Sequence, residues 1–173
     1  MLVRFLAVLT TGLALIAPGA HLYEMANKMT LARDDYLIVQ SIYTGWWIAG
    51  LLLPLAFVAN LALAWVATGD RTARLLALAA ALCIAINLII FYVFTYPANL
   101  VTDNWTAIPS DWERLRRQWE LSHAVNAGVT FAAFCFSIAA ALRTGAGRPG
   151  VFERRGSRED SAAKPERHET VNP

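Results

Sequence analysis

The sequence has few charged residues for its length. Asp, Glu, Lys and Arg make up 16% of the 173 residues, whereas hydrophobic residues make up 57%, and an average soluble domain carries about 25% charged residues. Four long runs contain no charged side chain at all. Each run is long enough to cross a bilayer core about 30 Å thick at about 1.5 Å per helical residue. This segregation of charge is typical of a chain embedded in lipid.

The four runs also lack the short alternating pattern of membrane β-strands. Because lipid offers no partner to backbone N–H and C=O groups, each run is expected to be a helix. The sequence predicts an all-α fold, a four-transmembrane-helix bundle over residues 1–142 followed by a disordered, basic cytoplasmic tail over residues 143–173. The helices are expected at about residues 3–22, 37–67, 73–95 and 111–142.

The first run could also be read as a cleavable signal peptide. It begins after Arg4, and small residues follow at Ala17, Gly19 and Ala20. However, Pro18 lies inside the would-be cleavage motif, and the apolar stretch continues to Leu22. We therefore interpret the run as a retained helix, and the intact mass of the purified protein distinguishes the two readings.

The orientation of the helices is predicted from the basic residues beside them. Cytoplasmic loops carry an excess of Lys and Arg. One side of the membrane receives Arg4, Arg71, Arg74, Arg143, Arg148, Arg154, Arg155, Arg158, Lys164 and Arg167. The other side receives Lys28, Arg33, Arg114, Arg116 and Arg117. The first side is expected to be cytoplasmic, so both termini lie inside and the loops 23–41 and 95–120 face outward. The Ala- and Arg-rich composition suggests a bacterial inner membrane.

Sequence signals for metals, cofactors and nucleic acids are absent. Cys83 and Cys135 form no CxxC pair, and no HExxH motif or Gly-rich phosphate loop is present. Glu120 and His123 read as E-x-x-H only once, whereas di-iron bundles use this motif twice. We therefore predict no metal and no cofactor. The expected partners are membrane lipid and a small aromatic ligand, with no nucleic acid and no protein partner that the sequence identifies.

One face of the predicted fourth helix carries polar and aromatic side chains at membrane depth. At 3.6 residues per turn, these side chains lie close to one stripe. The stripe consists of Trp112, Arg116, Trp119, Glu120, His123 and Asn126. Polar groups inside a membrane rarely face lipid. The stripe is therefore expected to line a polar-aromatic pocket that opens outward.

Other helices contribute groups at a similar depth. His21 ends the predicted first helix and Tyr43 lies near the outer start of the second, whereas Asn87 in the third helix could form the floor of the pocket. Arg116 and Glu120 are expected to pair at i, i+4. Two histidines and a carboxylate at one level suit general acid/base chemistry. The same groups also suit a structural role, in which the histidines hydrogen-bond across helices and the aromatic residues form an interfacial belt.

Several short segments resemble a known family. They are Pro97-Ala98-Asn99, Asn104-Trp105, Trp112, and Arg117-Gln118-Trp119 leading into His123. The pattern is similar to the anthrone-oxygenase-like family of small four-helix membrane proteins, much of which is a domain of unknown function. Relatives in polyketide pathways are associated with oxidising an anthrone to an anthraquinone without a recognised cofactor. The resemblance covers residues 1–142 and implies Asn99, Trp105, Trp112, Arg117, Trp119 and His123 as site residues.

The chain departs from this family pattern at Asn126. Members often carry Arg three residues after the histidine, so a positive group that could stabilise an anionic intermediate is missing there. The resemblance implies that His123 acts as the base, that His21 is a second acid/base or orienting group, and that Arg117 or Arg116 stabilises the anion. The expected function is binding, with possible cofactor-independent oxidation, of a small aromatic or quinone-like molecule. The alternative is a non-catalytic membrane subunit or a structural, interaction protein.

Overall fold

The described part of the molecule is entirely helical. The computed structural model describes the backbone of residues 1–146 and the side chains of residues 1–143, and no strand occurs in that part. The helices are α1 (Leu2–Lys28), α2 (Arg33–Gln40), α3 (Trp47–Gly50), α4 (Leu52–Val66), α5 (Arg71–Ile90), α6 (Tyr96–Val101) and α7 (Trp112–Ala146). The predicted all-α fold class is confirmed. Almost all of the predicted tail over 143–173 lies outside the described residues.

Four helical spans are long and apolar enough to cross a membrane. They cover Leu2–Lys28, Trp47–Val66, Arg71–Val101 and Trp112–Arg143. The helices α1, α4, α5 and α7 pack side by side in a closed four-membered ring, in which α7 contacts both α1 and α5. The protein is therefore an integral membrane protein built as a four-helix bundle.

The core of the bundle changes character along its axis. At the end where α1 begins, it consists mainly of alanine, with Ala7, Ala77 and Ala140 packed around Leu63. Small side chains allow membrane helices to approach closely, and close packing drives helix association in lipid. At the opposite end, which the charge count predicts to be outside, the core is aromatic, with Trp105 and Trp119 buried. We call this end, where aromatic and polar side chains pack between the helices, the aromatic end of the bundle.

The first helix is longer than its apolar run. It was expected to end at residue 22 but continues to Lys28. Residues 23–28 contain no Gly or Pro, and Glu24, Met25 and Ala26 all favour helix. Hydrophobicity alone does not predict this extension, which carries two charged residues over the aromatic end of the bundle.

The predicted helix over residues 37–67 is interrupted. A 3₁₀ turn spans Ser41–Tyr43, and a break follows before α3. Gly45 has a φ of +88°, a conformation that favours glycine, so the chain turns here without a steric penalty. The break directs the rings of Tyr43 and Trp46 toward α1 and α7.

The third span contains a π-helical turn over Phe91–Thr95 and then continues as α6, past the predicted end at residue 95. Pro97 lies in the first turn of α6. A proline lacks the N–H of a helix and crowds the carbonyl four residues earlier, and a widened turn relieves that conflict. The continued helix brings Asn99 next to α7, where its Oδ1 accepts a 2.8 Å hydrogen bond from Trp119 Nε1.

Candidate functional site

Five rings from three parts of the chain meet at the aromatic end of the bundle. We call His21, Tyr43, Trp46, Trp119 and His123 the ring cluster. The imidazoles of His21 and His123 have centroids 4.3 Å apart. Trp119 lies 4.8 Å from His21 and 4.1 Å from His123, so one indole borders both histidines. Tyr43 contacts His21 at 4.4 Å in an edge-to-face arrangement.

One side of the ring cluster is open. Trp46 is 38% exposed, and Tyr43 and His123 are partly exposed, whereas His21 and Trp119 are buried. His21 Nδ1 is buried without a hydrogen-bond partner among the described residues. A histidine pair with one unsatisfied ring nitrogen can accept or relay a proton. The cluster therefore combines aromatic surface with acid/base groups.

A buried ion pair adjoins the rings. Lys28 Nζ lies 2.8 Å from Glu120 Oε1, and the two side chains are 4% and 0% exposed. Buried charges are rarely tolerated without such a partner. The ammonium also lies over the faces of Tyr43 and Trp119, at 4.6 Å and 4.7 Å from the ring centroids. These two rings belong to the ring cluster, so Tyr43 and Trp119 contact both the Lys28 ammonium and the His21 ring.

Hydrogen bonds extend this ion pair into a network formed by Glu24, Lys28, Tyr36, Gln40, Tyr43 and Glu120, which we call the ion-pair network. Tyr36 OH donates to Glu120 Oε1 at 3.0 Å, and Gln40 Nε2 donates to Tyr36 OH at 2.8 Å. Lys28 Nζ donates to Tyr43 OH at 3.2 Å, and Tyr43 OH in turn donates to Glu24. The network joins α1, α2 and α7 at the aromatic end of the bundle.

The two tyrosines of the ion-pair network resist ionisation. Burial raises the pKa of Tyr36, and the nearby Glu120 carboxylate raises it further. Burial also raises the pKa of Tyr43, together with its hydrogen bond to Glu24. Both phenols therefore stay neutral donors over the physiological pH range.

Arg116 takes a different place from the one expected. Its NH1 donates to the Leu31 carbonyl at 2.9 Å, and its guanidinium lies 4.6 Å from the Trp112 ring centroid. The expected i, i+4 pair with Glu120 is wrong, because Glu120 pairs with Lys28 of α1 instead. The hydrophobicity pattern predicts a loop at residue 28, so it gives no indication that Lys28 belongs to a neighbouring helix and pairs with Glu120.

The remaining predicted site residues fall into three groups. Asn99 and Trp105 border Trp119, the first by a hydrogen bond and the second by a ring contact at 6.0 Å. Asn87 Nδ2 donates to Thr130 Oγ1 at 2.6 Å and to the Asn126 carbonyl at 3.4 Å, which ties α5 to α7. Arg117 is exposed on α7, and the structure gives it no contact with the ring cluster.

Sequence reasoning missed Lys28 and Tyr36. A helical continuation of α1 would have revealed the first, because His21, Glu24 and Lys28 are spaced i, i+3, i+7 on one face. No comparable signal exists for Tyr36, since its approach to Glu120 depends on how α2 folds back over the bundle.

Groups that could hold a metal ion do not occur in the described range. No three His, Cys, Asp or Glu side chains converge in residues 1–143. An apolar groove of about 310 Å³ lies elsewhere, between α1 and α7 at the alanine-rich part of the bundle. Its lining is Phe5, Val8, Leu9, Gly12, Leu13 and Phe134. It offers no polar chemistry and faces the region expected to contact lipid.

Comparison with models of known protein families, with curated proteins and with solved structures finds no match for this chain. The interpretation of the site therefore depends on its own geometry.

Proposed function

We propose that the ring cluster binds a small planar aromatic or quinone-like molecule. The observation that carries this proposal is the His21–His123 pair, with centroids 4.3 Å apart, bordered by Trp119 and Tyr43. Aromatic rings attract one another in offset or edge-to-face arrangements, and each such pair adds about 0.5–1.5 kcal/mol beyond area burial. Trp46, which is 38% exposed, supplies the accessible edge.

The same geometry suits removal of a proton from a bound ligand. In the proposed reaction, His123 takes a proton from an activated CH₂ or phenol, and His21 orients the ring or accepts the proton next. Dioxygen is the oxidant: the ligand carbanion forms a C–O bond with O₂, and loss of water leaves a ketone. A CH₂ group and O₂ thus give C=O and H₂O, which is the change from an anthrone to an anthraquinone. This chemistry follows the resemblance to the anthrone-oxygenase-like family.

The proposed setting is a bacterial inner membrane with both termini in the cytoplasm. The ten-to-five division of Lys and Arg supports this orientation, in which the ring cluster lies at the outer interface. Cysteines introduced at Asn104 and at Ser157 should then react with impermeant reagents from opposite sides. Labelling of both positions from outside would contradict the orientation and leave the binding proposal intact.

Ligand-induced stabilisation tests the binding proposal. His123→Ala should abolish the thermal shift that anthrones or quinones produce in the wild type, since the variant lacks one wall of the cluster. His123→Phe keeps an aromatic wall, so it should retain part of the shift while losing turnover. Trp65→Ala serves as a control because Trp65 is 81% exposed and lies at the far end of α4.

The result also separates the two classes of function. A shift that survives in His123→Ala would contradict the assigned site. If none of the anthrones or quinones shifts the melting temperature of the wild type, the result favours the alternative. That alternative is a non-catalytic membrane subunit in which the rings only pack against one another.

A further inference from the structure

Four cations of α1 and α7 lie near the start of α7, but they differ in their relation to the histidines. Arg114 and Arg117 are exposed, and Arg114 pairs with Asp111. Arg116 is committed to the Leu31 carbonyl and to the Trp112 ring. The Lys28 ammonium alone of the four lies over rings that touch His21, at 4.6 Å from Tyr43 and 4.7 Å from Trp119. Lys28 is therefore the positive charge nearest to any ligand that stacks in the ring cluster.

Lys28 has hydrogen-bonding capacity to spare. An ammonium group carries three N–H donors, and two have acceptors in the described residues, Glu120 Oε1 at 2.8 Å and Tyr43 OH at 3.2 Å. The third has none there. Its neighbour Glu120 is incomplete in the opposite sense, because Oε2 is buried and accepts no hydrogen bond from the described residues. Buried polar atoms without partners are uncommon and call for a missing group.

One hydroxyl group can satisfy both atoms at once. Its oxygen accepts from Lys28 Nζ while its hydrogen is donated to Glu120 Oε2. An ether oxygen can only accept, and an unsubstituted ring can do neither. Because a site built to hydrogen-bond a hydroxyl leaves buried groups unpaired when the hydroxyl is missing, it rejects the analogue that lacks it.

We infer that the ligand of this site is a hydroxylated aromatic, a phenol or the enol tautomer of an aromatic ketone, whose hydroxyl bridges Lys28 Nζ and Glu120 Oε2. This inference rests on the proposed function and narrows its substrate class. It also replaces Arg116 and Arg117 with Lys28 as the residue that stabilises an oxyanion when the hydroxyl loses its proton. Lys28 then acts as a binding and electrostatic residue beside the histidine base.

The first test needs no variant. 2-Methoxynaphthalene carries a methyl group on the oxygen, so only 2-naphthol can donate a hydrogen bond, and the wild type should bind the naphthol about tenfold or more tightly. The chain has two lysines, Lys28 and Lys164. In NMR spectra of protein with ¹³C-labelled lysine, 2-naphthol should shift the Lys28 Cε signal, and 2-methoxynaphthalene should shift it much less.

The two probes partition unequally into detergent, and a variant that lacks the ion pair controls for this difference. Lys28→Met combined with Glu120→Met replaces both charges and keeps the rings, so both probes should bind and the ratio of their affinities should fall to near the partition ratio. Arg114→Met is the matched control, since it removes an exposed cation of α7 that pairs with Asp111. That control should keep the wild-type ratio.

The outcomes separate the two proposals. If both probes bind the wild type with the partition ratio, or if the Lys28 signal does not respond to bound naphthol, the hydroxyl assignment is overturned while the binding proposal stands. The hydroxyl assignment is also overturned, and the binding proposal stands, if a water molecule remains bound to Lys28 Nζ and Glu120 Oε2 when naphthol is bound. If neither probe binds, both proposals fail.

Discussion

Breaking the buried ion pair should destabilise the bundle in a characteristic way. Lys28→Met leaves Glu120 fully buried with only the Tyr36 hydroxyl as donor. Removing one partner of a buried pair typically costs about 3–5 kcal/mol. Glu120→Met leaves the ammonium with Tyr43 OH and three aromatic faces. Each cation–π contact contributes about 0.5–2 kcal/mol. The loss for Glu120→Met should therefore be smaller than the loss for Lys28→Met, near the lower end of the range of about 3–5 kcal/mol.

The double replacement distinguishes a mutual interaction from two separate effects. With both members of the ion pair replaced, neither charge is left buried without its partner, and apolar residues of similar volume are often neutral substitutes. Tyr36 OH still accepts from Gln40 but loses Glu120 as its acceptor. The loss of that hydrogen bond costs about 1 kcal/mol. The free energy of unfolding of the double variant should therefore lie within about 2 kcal/mol of the wild type.

Equilibrium unfolding in mixed detergent and SDS micelles measures these three free energies in one double-mutant cycle. The expected coupling energy is several kcal/mol. A loss below about 1 kcal/mol for Lys28→Met, or a double variant whose loss equals the two single losses combined, would show that the ion pair does not form.

Three further predictions concern other parts of the fold. In the wild type, the free energy of unfolding should decline as the pH rises above about 10, because the pKa of Tyr36 is raised in the folded state. Tyr36→Phe should show a shallower decline in the same alkaline titration. Asp70 caps α5 by accepting from the backbone of Thr72 and Ala73, and the Ala73 amide lowers its pKa. The stabilisation that Asp70 gives to the folded state should be present above the ordinary carboxyl pKa and should be lost as the pH falls through the lowered pKa. Asp70→Ala should not show this decrease in the free energy of unfolding at acidic pH. Asn87→Leu should cost only about 0.6 kcal/mol in the same unfolding assay, the usual value for a hydrogen bond between membrane helices.

The membrane-spanning helices follow directly from the sequence. A run without charges and about twenty residues long has few alternatives in lipid, because its backbone must satisfy itself. That rule does not locate helix ends in water, where residues 23–28 continue α1 although they include Glu24, Asn27 and Lys28. It also does not detect a break such as the one at Gly45, which occurs inside an apolar run.

The candidate site was only partly accessible from the sequence. Helical spacing placed Trp119 and His123 on one stripe, and depth placed His21 beside them. The pairing of Glu120 with Lys28 depends on the rotation of α7, which turns Arg116 toward Leu31 and Glu120 toward α1. Local spacing favours the i, i+4 partner, and contacts between distant segments override it.

Histidine NMR offers the most direct test that the ring cluster is a binding site. The chain has three histidines, His21, His123 and His168, and the third lies outside the described residues. With ¹⁵N-labelled histidine, saturating 2-naphthol should shift the ring nitrogen signals of His21 and His123 together and leave His168 unchanged. Ligand binding that leaves both the His21 and the His123 signals in place would contradict the account.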